Sequence, residues 1–313
     1  MRRLLEYALY RVLAFLVPLL PRAALVWLGH RLGALYYACS ARDRRVGMEN
    51  LRRVFPERTD HRRILRQSLK LQAVALLDAL WAGSMPPERA ARYVDADGDQ
   101  VVAVREKIRT WGRGVVVGSA HFGSWEMLNL SSRAFGFPPA TFIARPVRNA
   151  LIDRHLRRQR EKGGNRLVYR EQALGGCIAA LRRGEVACSV IDIAVLPDEG
   201  GLFVDFLGTP ACTSAALPML AVRRDALLFF LVCRPVDGGR RYHLDGEEIA
   251  VRKDATDPDA EVARLTQELT RALERAVRAH PEAWMWGYKR WKWRPSEMPG
   301  AYPSYSSWLT KEL

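Results

Sequence analysis

The hydrophobic rhythm of the chain changes twice. Residues 4–20 (LLEYALYRVLAFLVPLL) and 23–38 (AALVWLGHRLGALYYA) are densely apolar, with interruptions at Glu6, Arg11, Pro18, His30 and Arg31. A spanning helix needs about 20 mostly apolar residues, and these breaks predict instead an amphipathic helical attachment lying in a membrane interface. Across 50–91 the apolar positions recur every three or four residues, as in ILRQSLKLQAVALLDALWAG, which is the helical period. Met85-Pro86-Pro87 ends that pattern.

Short β-branched runs then alternate with helical stretches. Strands are predicted at 114–119, 139–144, 166–169, 185–192 and 226–233, and helices at 125–135, 149–162, 172–183 and 214–223. A hairpin over 241–251 and a long helix over 257–279 follow. Such alternation predicts an α/β fold with a largely parallel central sheet flanked by helices. Without a repeat or a linker, the expected organisation is a membrane-associating helical segment (1–45) and one catalytic domain (46–313).

Charge adds a partner to this picture. The 313 residues carry a formal net charge of +15, which attracts something acidic: nucleic acid, an anionic membrane surface or a small acidic protein. Arg157, Arg158, Arg160 and Lys162 are the densest basic patch on a predicted helix, and the tail WMWGYKRWKWRP interleaves aromatic and basic residues. That tail suits base stacking or a headgroup layer. The five cysteines (Cys39, Cys177, Cys188, Cys212, Cys233) form no C-x-x-C pair, so buried thiols are expected rather than a disulfide framework or a zinc site. No metal is expected, because His155 and His243 lack ligand spacing with partners.

Chemistry concentrates in VVVGSAHFGSWEMLNL (115–130), where a hydrophobic strand ends, His121 follows, Gly123 permits a tight turn and Glu126 opens a helix. Ligands of open α/β sheets bind outside the carboxyl ends of strands. A carboxylate near a histidine can fix its tautomer, leaving the other ring nitrogen to take a proton from an attacking hydroxyl. His121 and Glu126 are therefore the expected general base and its orienting partner. G-x-S-x-G, H-E-x-x-H, Walker A and G-x-G-x-x-G are absent, which removes the main support for a serine hydrolase, a zincin or a nucleotide-binding enzyme.

HFGSWE matches the H-x-x-x-x-D/E motif of glycerolipid-type acyltransferases, and in its HFG-x-WE form it resembles the late acyltransferases of lipid A biosynthesis, the lauroyl/myristoyl transferases. The resemblance continues through Asn50-Leu51 with Val54-Phe55-Pro56, Ala144-Arg145-Pro146 with Asn149, Asp192 with GLFVDFLG (201–208) and Thr213, and the ending PEAWMWGYKRWKWRP (281–295). It implies a cofactor-independent acyl transfer from acyl carrier protein to a hydroxyl of a lipid A precursor, without a covalent intermediate, at the cytoplasmic face of the inner membrane. It further implies headgroup or phosphate contacts at Arg145 and Asp192 and acyl-pocket candidates at Phe203, Phe206, Leu207 and Leu217. Ile193 after Asp192 departs from the family's common Asp-Gln, so another glycolipid acceptor, such as a phosphatidylinositol mannoside, stands as an alternative. A basic nucleic-acid-binding protein and a catalytically dead membrane adaptor are the non-enzyme alternatives.

Overall fold

A computed structural model describes residues 1–252, 254–295 and 302–309, so the predicted domain is covered apart from 253, 296–301 and 310–313. The helices are α1 (Arg2–Leu16), α2 (Arg22–Cys39), α3 (Ala41–Val54), α4 (His61–Trp81), α5 (Pro87–Ala91) and α6 (Asp99–Trp111), then α7 (Trp125–Ser131), α8 (Ala150–Glu161), α9 (Ala173–Arg182), α10 (Ala216–Arg223) and α11 (Pro258–Ala279). The strands are β1 (Val94–Asp95), β2 (Val115–Ser119), β3 (Ala140–Ala144), β4 (Arg166–Tyr169), β5 (Val186–Val190), β6 (Gly201–Phe206), β7 (Thr209–Ser214), β8 (Leu227–Val236) and β9 (Arg241–Ile249), with the short pair β10 (Trp293–Arg294) and β11 (Ser307–Trp308) near the end.

Among the described residues the central sheet runs β1-β9-β8-β2-β5-β3-β4. Every pairing in it is parallel except β8 with β9. The mixed α/β class and the mostly parallel sheet therefore match expectation. The predicted hairpin at 241–251 is instead a single strand, β9, laid antiparallel along β8 from Leu228 to Val236. β2 is buried throughout, as a strand covered on both faces must be. Two apolar clusters occupy the two sides: one gathers Leu65, Leu69, Phe206, Leu265 and Trp284, the other Leu25, Val74, Trp81, Met127 and Tyr242.

The N-terminal helices divide sharply. α2 packs on α4 because Gly29 and Gly33 offer no side chain: a Cβ at Gly29 would lie 2.6 Å from the Val74 side chain, and one at Gly33 would strike the backbone of Leu69 and Lys70. By contrast, α1 buries none of its residues. Leu4, Leu5, Leu9, Val12, Leu13, Phe15 and Leu16 are all exposed, as are Leu19, Trp27 and Leu35 beyond it. No helix among the described residues is long and apolar enough to cross a membrane.

Candidate active site

His121 and Asp192 meet because two adjacent strands end level. β2 and β5 pair in parallel with Ser119 opposite Val190, and each catalytic candidate stands two residues beyond its strand. His121 Nδ1 lies 2.9 Å from Asp192 Oδ1, and the His121 backbone N–H donates to Asp192 Oδ2 at 2.9 Å. An ionised carboxylate only accepts, so Nδ1 carries the proton and Nε2 is left with its lone pair. Nε2 has no hydrogen-bond partner among the described residues, and the side chain is 22% exposed whereas that of Asp192 is 1% exposed. The imidazole reaches solvent and its carboxylate does not.

Burial alone would disfavour the charged form of both groups. For His121 the charge of Asp192 and their hydrogen bond outweigh burial, holding the imidazole above its ordinary range. For Asp192 the burial penalty is overcome by His121, by the Trp284 indole and by the His121 amide, holding the carboxyl below its ordinary range.

The turn after His121 is held on both sides. Gly123 adopts φ 61°, and a Cβ there would collide with the Cys233 carbonyl, so only glycine fits. Gly123 N–H donates to Ala283 O at 2.8 Å and Ser124 N–H to Cys233 O at 3.0 Å. Ser124 caps α7, accepting from Met127 N–H at 3.3 Å, and donates its own hydroxyl to buried Asp78 at 3.2 Å. Asp78 also holds Arg22, at the start of α2, and the Tyr242 hydroxyl.

Glu126 is not the partner of His121 as the motif suggests. Five residues on, it has turned inward on the first turn of α7, where it is 3% exposed and bound by Nε and Nη2 of the Arg160 guanidinium from α8. Three of the four basic residues at 157–162 are also engaged within the chain. Arg160 is committed to Glu126, Arg157 to Glu161 and the Leu167 carbonyl, and Lys162 to the Ser84 carbonyl.

Asp192 is likewise unavailable as a headgroup contact, because its oxygens are filled by protein donors in the interior. Arg145 has no hydrogen bond or ion pair among the described residues and is exposed at the carboxyl end of β3, on the same sheet edge as His121. Its charge reaches Glu199 and Tyr288 beside the site.

Of the acyl-pocket candidates, Phe203 is half-buried on the β6–β7 hairpin. Phe206, Leu207 and Leu217 are buried in the core. Phe206 is closed in by Trp284, Trp291 and the Arg290 guanidinium, with ring centroids 5.3 Å and 5.7 Å away for the two indoles, so it backs the site instead of opening a channel. The aromatic tail is also mostly interior: Trp284, Trp286 and Trp291 are fully buried. Cys177, Cys212 and Cys233 are buried as expected and Cys188 is half-buried, whereas Cys39 is exposed; burial pushes Cys177 up to about 11 and Cys188 to about 12.

The motif does not announce two of the partners, Arg160 and Trp284. A signal for Asp192 was present, since a polar residue follows the apolar run EVACSVI just as His121 follows GVVVGSA.

The site thus holds a His–Asp pair at the carboxyl edge of an α/β sheet, in a sequence without a nucleophile elbow. The comparison with known proteins makes the class specific: a family model for bacterial lipid A biosynthesis acyltransferase matches residues 1–293, and the chain belongs to that family and is an acyltransferase. The chain is 26% identical over 291 residues to a lipid A biosynthesis lauroyltransferase of Escherichia coli (strain K12), covering 92% of each chain. It is 25% identical over 287 residues to a lipid A biosynthesis palmitoleoyltransferase of the same organism, covering 88% of this chain and 87% of that one. A lipid A biosynthesis acyltransferase of Haemophilus influenzae is 26% identical over 291 residues, covering 89% and 87%.

Proposed function

We propose that this protein transfers a fatty acyl group from an acyl carrier protein thioester to a hydroxyl of a lipid A precursor, with His121 as general base and no acyl-enzyme intermediate. The observation that carries this reading is the 2.9 Å contact between His121 Nδ1 and Asp192 Oδ1, with Nε2 left unpartnered at the sheet edge. Nε2 takes the proton of the acceptor hydroxyl as its oxygen bonds to the thioester carbonyl carbon. The tetrahedral species collapses, the carbon–sulfur bond breaks, and the departing sulfur recovers the proton from the imidazolium. Asp192 stays ionised throughout and stabilises the imidazolium. Glu126 acts at one remove, through its buried pair with Arg160, by fixing the first turn of α7 beside His121.

The setting suits a lipid acceptor at the cytoplasmic face of the inner membrane. Asn149, at the cap of α8 just beyond the carboxyl end of β3, donates from its amide to the Arg3 carbonyl of α1 at 2.8 Å. The exposed apolar face of α1 therefore begins at the same edge as His121 and attaches the site to the bilayer surface. Arg145 offers a guanidinium to a phosphate there. The net positive charge favours an acidic carrier as donor, with association that weakens as salt rises.

The test is acyl transfer by wild type and His121→Ala, offered lauroyl, myristoyl and palmitoyl carrier protein with lipid A precursor, and read by mass spectrometry. His121→Ala should fold and lose about two to four orders of magnitude in rate. The wild-type rate should rise with pH as His121 loses its proton, with that limb above the ordinary histidine range. Equal product from both proteins removes His121 from the mechanism. The relatives' names carry lauroyl and palmitoleoyl chains, so the preferred chain is itself a result of this assay.

A further inference from the structure

The oxygen of Asp192 that faces away from the imidazole is held by two N–H groups. One is the His121 amide at 2.9 Å, and the other is the indole Nε1 of Trp284 at 3.0 Å. With Oδ2 bound twice, Oδ1 is the oxygen presented to His121 Nδ1. An indole has one donor and no acceptor, so this contact has a fixed direction whatever the state of the histidine.

Trp284 cannot easily move away from that contact. Its backbone pairs antiparallel with Phe122, directly after the base, and its carbonyl accepts the Ser68 hydroxyl from α4. Its ring is set edge-on between Trp286, with centroids 4.8 Å apart, and Phe206 at 5.3 Å. The same tail fixes the chain that leaves Asp192. Tyr288 Oη accepts the Ala194 N–H at 3.0 Å, and Arg290, 1% exposed, donates to the Cys212 carbonyl at 2.9 Å and to the Thr213 hydroxyl. Thr213 in turn bridges to Ala194. One continuous segment thus touches the turn after the base, the carboxylate and the loop behind the carboxylate.

We infer that Trp284 is a positioning residue for acyl transfer: its indole N–H sets the rotation of the Asp192 carboxylate and shares its negative charge, and thereby fixes the tautomer and orientation of His121. The inference rests on the base role proposed above for His121. Without the indole donor Oδ2 keeps only the backbone amide, so the carboxylate gains rotational freedom and becomes more basic. A more basic Asp192 binds the imidazolium more strongly, so His121 holds its proton to higher pH. Trp291 is the control, because it lies in the same aromatic cluster, is equally buried, and donates its indole N–H to the Thr209 carbonyl at 3.2 Å instead.

Full-length Trp284→Phe, Trp291→Phe and His121→Ala would be compared with wild type by thermal melting. Rates with lauroyl carrier protein and lipid A precursor would be taken from about pH 5 to pH 9. For Trp284→Phe, kcat should fall about tenfold with KM for the acceptor unchanged, and the acid limb should move up by about half a pH unit. Trp291→Phe should lower the melting temperature without moving that limb. An unmoved or lowered acid limb in folded Trp284→Phe, or an equal displacement in Trp291→Phe, overturns the inference. A dead His121→Ala beside an unaltered Trp284→Phe sinks this inference alone, whereas a fully active His121→Ala sinks the base reading with it. Should Trp284→Phe fail to fold, the indole N–H resonances of 15N-labelled wild type and Asp192→Asn decide. One resonance must shift on substitution and follow the His121 titration; if none does, the contact does not serve the pair.

Discussion

Two aspartates lie fully buried on either side of the turn at 121–124, and the protein uses them in opposite ways. Asp192 faces the imidazole, the backbone amide of His121 and the Trp284 indole, and its carboxyl is held below the usual range despite burial. Asp78 faces Arg22, the Tyr242 hydroxyl and Ser124, and there burial dominates and pushes the carboxyl up. The difference lies in the counter-charge. Arginine stays protonated at any working pH, so Asp78 has a partner that never changes and ties α2, α4, β9 and the turn together. Histidine gains and loses its proton near neutrality, so the field of Asp192 is exerted on a group that turns over. Equal burial of the same side chain therefore yields a staple in one place and a carboxylate set against a titratable imidazole in the other.

Substitution should separate these roles, most strongly at Asp192. Asp192→Asn keeps the volume but removes the charge, and acyl transfer should fall about a thousandfold while the fold survives, checked by single-turnover rates alongside circular dichroism. Asp78→Ala should do the reverse. It strands the Arg22 guanidinium in the interior and should cost about 3–5 kcal/mol of stability in a denaturant titration, with the remaining folded protein keeping most of its rate.

The pH dependence of stability should differ in sign between the two sites. A depressed folded pKa stabilises above the unfolded value and is lost as pH falls through the folded value, so the deficit of Asp192→Asn should widen from acid toward neutral pH. A raised folded pKa stabilises below the unfolded value and is lost as pH rises through the folded value, so the deficit of Asp78→Asn should narrow over the same change. Unfolding curves at several pH values check both, and parallel trends would refute the contrast. The smallest effect belongs to Ser124→Ala, which removes the α7 cap and one Asp78 donor. It should cost about 1 kcal/mol, measured as a shift in midpoint, with little change in rate.

The legibility of these regions in the sequence also differed. Parallel strands buried on both faces are short apolar runs, so β2, β3, β4, β5 and β8 stood within a residue or two of their predicted starts. The β6–β7 hairpin was missed as structure because GLFVDFLGTP turns through Leu207 and Gly208, and only the second is a residue that signals a positive φ. His121 was legible because a strand, a turn glycine and a helix start fall together around it. Its partner was harder, since sequence proximity favours Glu126 while the sheet register selects Asp192, 71 residues away. The tail misled for a related reason. Alternating aromatic and basic residues suit a surface, yet Trp284 and Arg290 are interior because each has a specific acceptor there.

The antiparallel bridge between Phe122 and Trp284 also orders events in time. A chain leaving the ribosome exposes the base early, its carboxylate next, and the indole that braces them 92 residues after the carboxylate. The strands of the central sheet have all been made by then, so that sheet can be gathered before the pair is braced. A chain that stopped before Trp284 would thus own the central sheet and His121 but lack the indole donor that holds Asp192 Oδ2.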